Sequence, residues 1–209
     1  MNLGIVISYI IAGMILLSIA MMNIRVQNSS AELTITQIVR EHVTNITEVL
    51  NDDLSNMGYD VDQSTLKSKG AILTYANDNS ISFYRNLQNN SAVEPDLITW
   101  SLVDDSPSTG NPNIKTLVRT VLSGETGLMD ENEIKVGVTN FELRYYDTVG
   151  NSLGNNMSPP AAGSGLSNIR QIHVILEVQS REPVFKRATG NGRFVRSVWE
   201  KRFTPTNLN

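Results

Sequence analysis

The first 24 residues of the chain contain no charged side chain, although the full sequence of 209 residues has 17 basic and 21 acidic ones. The segment 3–22 reads LGIVISYIIAGMILLSIAMM, which is apolar apart from two serines, a tyrosine and two glycines. A helix of about 20 residues, rising 1.5 Å per residue, spans the ~30 Å hydrocarbon layer of a bilayer. The segment therefore predicts a single membrane-spanning helix.

Two other interpretations of this segment stay open. Residues 18–20 have the small-x-small pattern of a signal-peptidase site, which is typical of a cleaved signal peptide, although no basic region precedes the apolar run. A buried helix of a soluble protein is the third interpretation. Few basic residues flank the span, so the positive-inside rule gives little orientation. In a bacterium, we expect a single-pass protein of the inner (cytoplasmic) membrane with its head outside the cytoplasm.

Helical periodicity continues beyond the apolar segment. Between residues 30 and 57 the apolar side chains recur every three or four residues, which predicts one buried stripe of an amphipathic helix. Gly58 stands where a glycine would end this helix. Ser29 and Glu32 fit a capping box, so the helix either breaks near 27–29 or continues as one helix about 80 Å long. The stripe residues expected to pack against a sheet are Val39, Val43, Ile46, Leu50, Leu54 and Met57.

The rest of the chain changes to the two-residue alternation of β-strands. The strands are predicted at 72–75, 80–85, 97–103, 115–122, 136–147, 168–180 and 193–203, with loops at 104–112, 149–167 and 182–192. The predicted fold is therefore α+β, with a long N-terminal helix packed on an antiparallel β-sheet head. The chain divides into a membrane helix (1–24), an amphipathic helical arm (25–58) and a β-rich head (59–209).

Charge is unevenly distributed along the chain. Residues 25–62 are mainly acidic, whereas residues 170–209 are mainly basic. Blocks of opposite sign pair within one molecule, pair between neighbouring molecules, or simply form two solvated faces, and the sequence leaves these three alternatives open.

Residues with catalytic or ligand-binding chemistry are sparse. The absence of cysteine excludes disulfides, cysteine-based zinc sites and thiol nucleophiles. His42 and His173 lie on different predicted elements and form no zinc-binding pair. The acidic run 130–133 is interpreted as a solvated loop, with a Ca²⁺ site as the alternative. A net charge of −4 disfavours a general nucleic-acid binder, although 193–203 interleaves cations with aromatics. We expect no enzyme activity, cofactor, metal, nucleic acid or small-molecule substrate.

Three segments, taken in order, resemble one family. LNDDLSNMGY at 50–59 is similar to a helix end with the pattern L-x-x-D-L-x-x-x-G-[YF]. GVTNFELRYYD at 137–147 and IRQIHVILEV at 169–178 are similar to two strands of the same family. The chain thus resembles type IV pilin-like proteins, especially the larger minor pilins and the J-type minor pseudopilins of type II secretion systems. Residues 1–5 depart from the family pattern, because they lack its prepilin cleavage junction and its acidic residue.

The resemblance implies a structural subunit of a type IV pilus or type II secretion-like filament. Its partners would be membrane lipid and other pilin-like subunits, contacted through helix packing. The alternative is a single-span, membrane-anchored extracytoplasmic binding module that does not polymerise. The residues expected to form the membrane and assembly helix are Leu3, Gly4, Ile7, Ile11, Ala12, Gly13, Leu16 and Leu17.

Overall fold

The computed structural model describes residues 3–62, 72–105, 110–154, 165–184 and 192–208. The predicted α+β class is confirmed, because one long N-terminal helix precedes antiparallel β-sheets. The helix α1 spans Leu3–Ser55 without a break, so the segment 27–29 does not interrupt it. The strands are β1 (Leu73–Ala76), β2 (Ser80–Arg85), β3 (Asp96–Val103), β4 (Thr116–Leu122), β5 (Met129–Ile134), β6 (Val138–Tyr146), β7 (Gln171–Gln179) and β8 (Arg196–Phe203). Short 3₁₀ helices occupy Leu166–Asn168 and Thr206–Leu208.

The strands form two sheets rather than the single sheet expected from the sequence. The first has the order β1-β2-β3-β4-β5, and the second has the order β6-β7-β8. The chain passes from one sheet to the other at Gly137, whose φ of +98° is accessible mainly to glycine. A β-carbon at this position would lie 2.2 Å from the carbonyl oxygen of Gln179. This turn lets β6 pair with β7 instead of extending the first sheet.

Strand β5 corrects the interpretation of residues 130–133 as a loop. The sequence Met-Asp-Glu-Asn-Glu-Ile has no apolar alternation, and almost all of its side chains are exposed. The strand forms because its backbone pairs with β4, from Leu122 opposite Met129 to Leu117 opposite Ile134. Charged side chains are common on edge strands, where they discourage unwanted pairing.

The core lies between the second half of α1 and the two sheets. Residues of β7 that alternate in sequence, from Ile172 to Val178, are buried on one face as predicted. Trp100 on β3 and Tyr145 on β6 are the largest fully buried side chains of the described residues. The predicted loops 104–112, 149–167 and 182–192 extend in part outside the described residues.

The sequence predicted that the helical arm ends at Gly58, whereas α1 ends at Ser55 and Gly58 lies in the turn that follows. Its φ is +71°, and its N–H donates to the carbonyl oxygen of Tyr84 at 2.9 Å. A β-carbon here would lie 2.7 Å from Cδ1 and 2.9 Å from Cγ2 of Ile72. Both the backbone conformation and the close approach therefore require glycine.

Replacing Gly58 by alanine is expected to lower the free energy of unfolding by about 2–3 kcal/mol, since backbone strain and a steric clash add. The matched control is Gly127→Ala, because Gly127 has a φ of +66° but no atom within 4 Å of a β-carbon. Gly127→Ala should lower the free energy of unfolding by about 1 kcal/mol. Urea unfolding of both full-length variants in detergent measures the difference, and equal costs would contradict the clash.

Asp147 organises the turn that follows β6. Its carboxylate accepts hydrogen bonds from the side-chain amide of Asn151 at 2.9 Å and from the N–H groups of Val149 and Asn151. The Asn151 side chain, with help from the backbone donors, holds the pKa of Asp147 below its usual value. The hydrogen bonds to the ionised carboxylate thus favour the folded turn above the pKa of the unfolded chain, and this is lost as the pH falls through the folded pKa.

We therefore expect Asn151→Ala to raise the pKa of Asp147 toward its ordinary value, because the largest cause of the shift is removed. The carboxyl resonance of Asp147, followed by NMR as a function of pH, measures this change. The internal control is Asp78, an exposed residue in the turn between β1 and β2. An unchanged midpoint for Asp147 in the variant would contradict the assignment.

Candidate functional site

The N-terminal part of α1, residues 3–22, is an exposed apolar segment, called the rod below. It touches no other described part of the molecule. Its most hydrophobic window of 18 residues has a mean hydropathy of 2.5 and none of its residues is buried. Length and composition are sufficient for this helix to cross a membrane. The predicted assembly residues all lie on this exposed rod: Leu3, Gly4, Ile7, Ile11, Ala12, Gly13, Leu16 and Leu17.

Small side chains recur along one face of the rod. Gly4, Ser8 and Ala12 are spaced four residues apart, which places them on adjacent turns. The Ser8 hydroxyl donates to the Gly4 carbonyl at 2.9 Å, and the Ser18 hydroxyl donates to the Met14 carbonyl at 2.8 Å. Both hydroxyls are hydrogen-bonded within the helix. A neighbouring helix can therefore pack closely against this face without burying an unpaired polar group.

The second half of α1 is fixed to the head through its apolar stripe. The structure buries all six side chains expected to face a sheet and places them in one hydrophobic cluster with residues of both sheets: Val39, Val43, Ile46, Leu50, Leu54 and Met57. Leu50, Leu54 and Met57 are completely buried. Full burial of a side chain of this size contributes about 1.5–3 kcal/mol, so the stripe is a large source of stability.

A buried carboxylate joins the end of α1 to the first sheet. The side chain of Asp53 is 1 % exposed. Its Oδ2 accepts from Arg119 Nε at 2.7 Å and from Trp100 Nε1 at 2.9 Å. Its Oδ1 accepts from Arg119 Nη2 at 3.1 Å and from Arg85 Nη1 at 3.0 Å. Strands β2, β3 and β4 therefore each donate to one carboxylate on the helix.

The cluster also shifts the pKa of one of its two arginines. The hydrogen bond to Asp53 raises the pKa of Arg119, although partial burial opposes this rise. Sequence reasoning missed this role of Asp53. A signal was present, because Asp53 lies three residues after Leu50 and four before Met57, on the buried stripe itself.

Two apolar grooves lie beside α1 on the head side. One, of about 400 Å³, is lined by Ile46 and Val49 of the helix and by Trp100 and Ile134 of the first sheet, among others. The other, of about 280 Å³, lies nearer the rod and includes Ile35 and Ile38. His42 and Val136 line both grooves, and the His42 Nδ1 lies 3.1 Å from the Val136 carbonyl oxygen. This contact divides the two grooves.

The acidic arm and the basic C-terminal region meet within one molecule. Arg193 forms an ion pair with Glu32, and Lys201 donates to the side-chain oxygen of Asn51. In the described part of the chain, the ion pair of Glu32 with Arg193 therefore realises the alternative of pairing within the molecule. On the outer face of β8, Arg202 lies over the ring of Tyr146 at 4.3 Å, and Arg196 pairs with Glu177 at 2.7 Å.

The remaining candidate side chains are not brought together. His173 Nε2 lies 3.9 Å from Glu200 Oε2, whereas His42 lies on α1. In the described ranges, no group of three or more His, Asp or Glu side chains is arranged to hold a metal ion. Asp130 accepts from Asn132 at 3.2 Å on strand β5, in place of the loop in which a Ca²⁺ site was considered.

Comparison with known proteins adds no relative: no protein-family model matches the chain, and no curated protein matches it.

Proposed function

We propose that this chain is a membrane-anchored structural subunit of the pilin-like class, related in role to minor pilins or J-type minor pseudopilins. It assembles with other pilin-like subunits through its N-terminal helix, in a type IV pilus or type II secretion-like filament. Its head stands outside the cytoplasm, on the far side of the inner membrane.

One observation carries this proposal: α1 is a single helix of 53 residues with two different environments. Its first half is apolar and exposed, whereas its second half is built into the head. A soluble domain gains nothing by exposing such a rod, because large exposed apolar surfaces mark membrane or protein contacts. A rigid continuation into the head transmits any packing of the rods to the heads.

The small-residue face of the rod supports helix packing rather than anchoring alone. In lipid, helix association depends on close packing of backbones, since lipid chains are as apolar as leucine. On this face, Gly4 leaves open space around its α-carbon, and Ala12 adds only a methyl group. Several such positions on one helix favour close contact with neighbouring helices.

The grooves beside α1 favour a second candidate function. In this alternative the protein is a single-span binding module that does not polymerise, and an apolar ligand or peptide occupies the groove of about 400 Å³. The rod then serves only as an anchor. Both candidates predict that deletion of residues 1–24 releases a soluble, monomeric head.

The two candidates differ in what the full-length protein contacts in cells. Crosslinking in cells, followed by mass spectrometry, should recover pilin-like subunits joined to the full-length protein and not to the 25–209 variant. A full-length protein that remains strictly monomeric in detergent, and that crosslinks to no filament component, would contradict assembly and leave the binding module. Intact mass of the native protein tests the anchor, because loss of about 20 N-terminal residues would remove the span.

A further inference from the structure

Among the four edge strands of the described sheets, β5 and β8 carry opposite charge. Strand β5 ends the first sheet and β8 ends the second. An edge strand presents a row of backbone donors and acceptors that another strand can pair with. Within the described ranges, the backbone of β5 bonds to β4 and that of β8 to β7, and neither strand has a partner on its far side.

Between these two edges, charge favours the pairing of β5 with β8 over the pairing of either strand with its own copy. Strand β5 carries Asp130, Glu131 and Glu133 without a basic residue. Strand β8 carries three basic residues and one acidic residue. Like charges opposite each other destabilise a strand pair, whereas opposite charges stabilise it. Pairing of β5 with β5, or of β8 with β8, is therefore opposed, and pairing of β5 with β8 is favoured.

Strand β8 runs in the same direction as α1. Arg193, just before the strand, contacts Glu32 on the helix. Lys201, near the end of the strand, contacts Asn51. The two helix positions are 19 residues apart, or about 28 Å at 1.5 Å per residue. The two strand-side positions are eight residues apart, or about 26 Å at 3.3 Å per residue. Strand β8 and α1 are therefore parallel, and both run away from the rod.

Strand β5 runs in the opposite direction along the other flank of α1. Asn132 is paired with Arg119 of β4, whose side chain binds Asp53 near the end of α1. Asn132 also lines the larger groove together with Val49. Val136, two residues past the strand, lies against His42, which is closer to the rod. The chain here thus advances toward the rod. Val49 and Asn51 are two residues apart, so they point about 200° apart around a helix with 3.6 residues per turn. The β5 and β8 flanks consequently lie on opposite sides of α1.

We propose that β5 of one copy pairs with β8 of the next copy, which links the heads side by side in an antiparallel ladder. The proposal rests on the proposed assembly, because copies anchored in one membrane have parallel helices. With parallel helices, a β5 that runs toward the membrane meets a β8 that runs away from it, and the two are antiparallel. Antiparallel pairs are the more stable kind of ladder.

In one register of this ladder, oppositely charged side chains face each other and apolar side chains face each other. Asn132 faces the groove, so Met129 and Glu131 face away from it. Trp199 packs toward the core, so Arg196 and Val198 share the outer face. A register with Glu131 opposite Arg196 places Met129 opposite Val198. These two apolar side chains are 66 % and 48 % exposed in the single chain.

A shift of the register by two residues loses these matches. Met129 would then face Glu200 in one direction or Arg196 in the other. Arg196 already pairs with Glu177, but its guanidinium has five N–H donors and can bind a second carboxylate. Because the contact joins two different surfaces, it does not close on itself in a dimer and builds open chains of heads.

The natural absence of cysteine makes a disulfide test specific. Two full-length, differently tagged single-cysteine variants, Met129→Cys and Val198→Cys, are expressed together in one membrane and oxidised. The mixed pair should give a crosslinked dimer, whereas each variant alone should not. The matched control replaces Met129→Cys by Val149→Cys, at an apolar residue that is also highly exposed but belongs to the turn after β6. One copy with both cysteines should give a ladder of multimers.

Charge exchange tests the register. Glu131→Arg in the Met129→Cys copy should lower the crosslinked yield about fivefold, as expected for loss of a cross-strand ion pair with like charges in its place. Arg196→Glu in the Val198→Cys copy should restore it. A third variant, Ala12→Cys, reports helix contact in the same membranes. If the mixed yield does not exceed the Val149→Cys control while Ala12→Cys still crosslinks, the ladder is wrong and helix assembly stands. Loss of both crosslinks overturns both proposals.

Discussion

Replacing Asp53 by asparagine is expected to lower the free energy of unfolding by about 3–5 kcal/mol, the cost of breaking a buried ion pair by removing one partner. The carboxylate accepts four hydrogen bonds from Arg85, Trp100 and Arg119. An asparagine offers one acceptor oxygen and brings two N–H donors into a site already filled with donors. The two guanidinium groups, whose side chains are 12 % and 17 % exposed, then lack their counter-charge.

The adjacent residue provides a matched control for this variant. Asp52 is on the same helical turn and pairs with Arg85 at 2.8 Å, but its side chain is 61 % exposed. Asp52→Asn should therefore cost no more than about 1 kcal/mol, as exposed ion pairs do. Thermal unfolding of full-length protein in detergent, followed by near-ultraviolet circular dichroism of the aromatic side chains, compares the variants. Equal losses for the two would contradict the role of the buried carboxylate in holding the helix to the sheet.

The second large effect is expected from charge in the rod. The double variant Ile11→Lys/Ile15→Lys places two ammonium groups near the centre of the apolar segment, at a cost of roughly 5–7 kcal/mol for insertion into a bilayer. Both side chains are exposed and contact nothing else in the described head. The variant should therefore leave the folded head intact while shifting the protein from the membrane fraction to the soluble fraction.

Two exposed apolar residues farther along the same helix provide the control. Leu33→Lys/Val49→Lys makes the same chemical change outside the predicted span, at side chains that are also exposed. This variant should remain in the membrane after alkaline extraction. If both double variants partition alike, in either fraction, the assignment of residues 3–22 as the membrane-embedded segment is contradicted.

Periodicity predicted the helix and its buried face because both follow from the same spacing. A stripe that recurs every three or four residues fixes which side of α1 can enter a core, and Leu50 and Leu54 are buried accordingly. Strand β7 was similarly clear, since its alternation places one apolar face inward. A helix stop near Gly58 was predicted as well, and Gly58 is left-handed, although α1 ends three residues earlier at Ser55.

Features that depend on tertiary contacts were not predictable in the same way. Strand β5 has no apolar pattern and forms because β4 presents a partner for its backbone. The division into two sheets depends on the conformation of Gly137, which no periodicity encodes. The partners of Asp53 come from three strands, 32 to 66 residues farther along the chain. Continuity of α1 through 27–29 was likewise undecided, because a capping-box pattern is compatible with a continuous helix.

The most direct test of assembly through the rod is a single-cysteine scan of residues 3–22 in native membranes. Oxidative crosslinking to identical copies or to other pilin-like subunits is measured position by position. Assembly predicts a yield that oscillates with a period of about 3.6 residues and is greatest on the face of Gly4, Ser8 and Ala12. A yield that is uniformly low along the segment would contradict assembly through this helix.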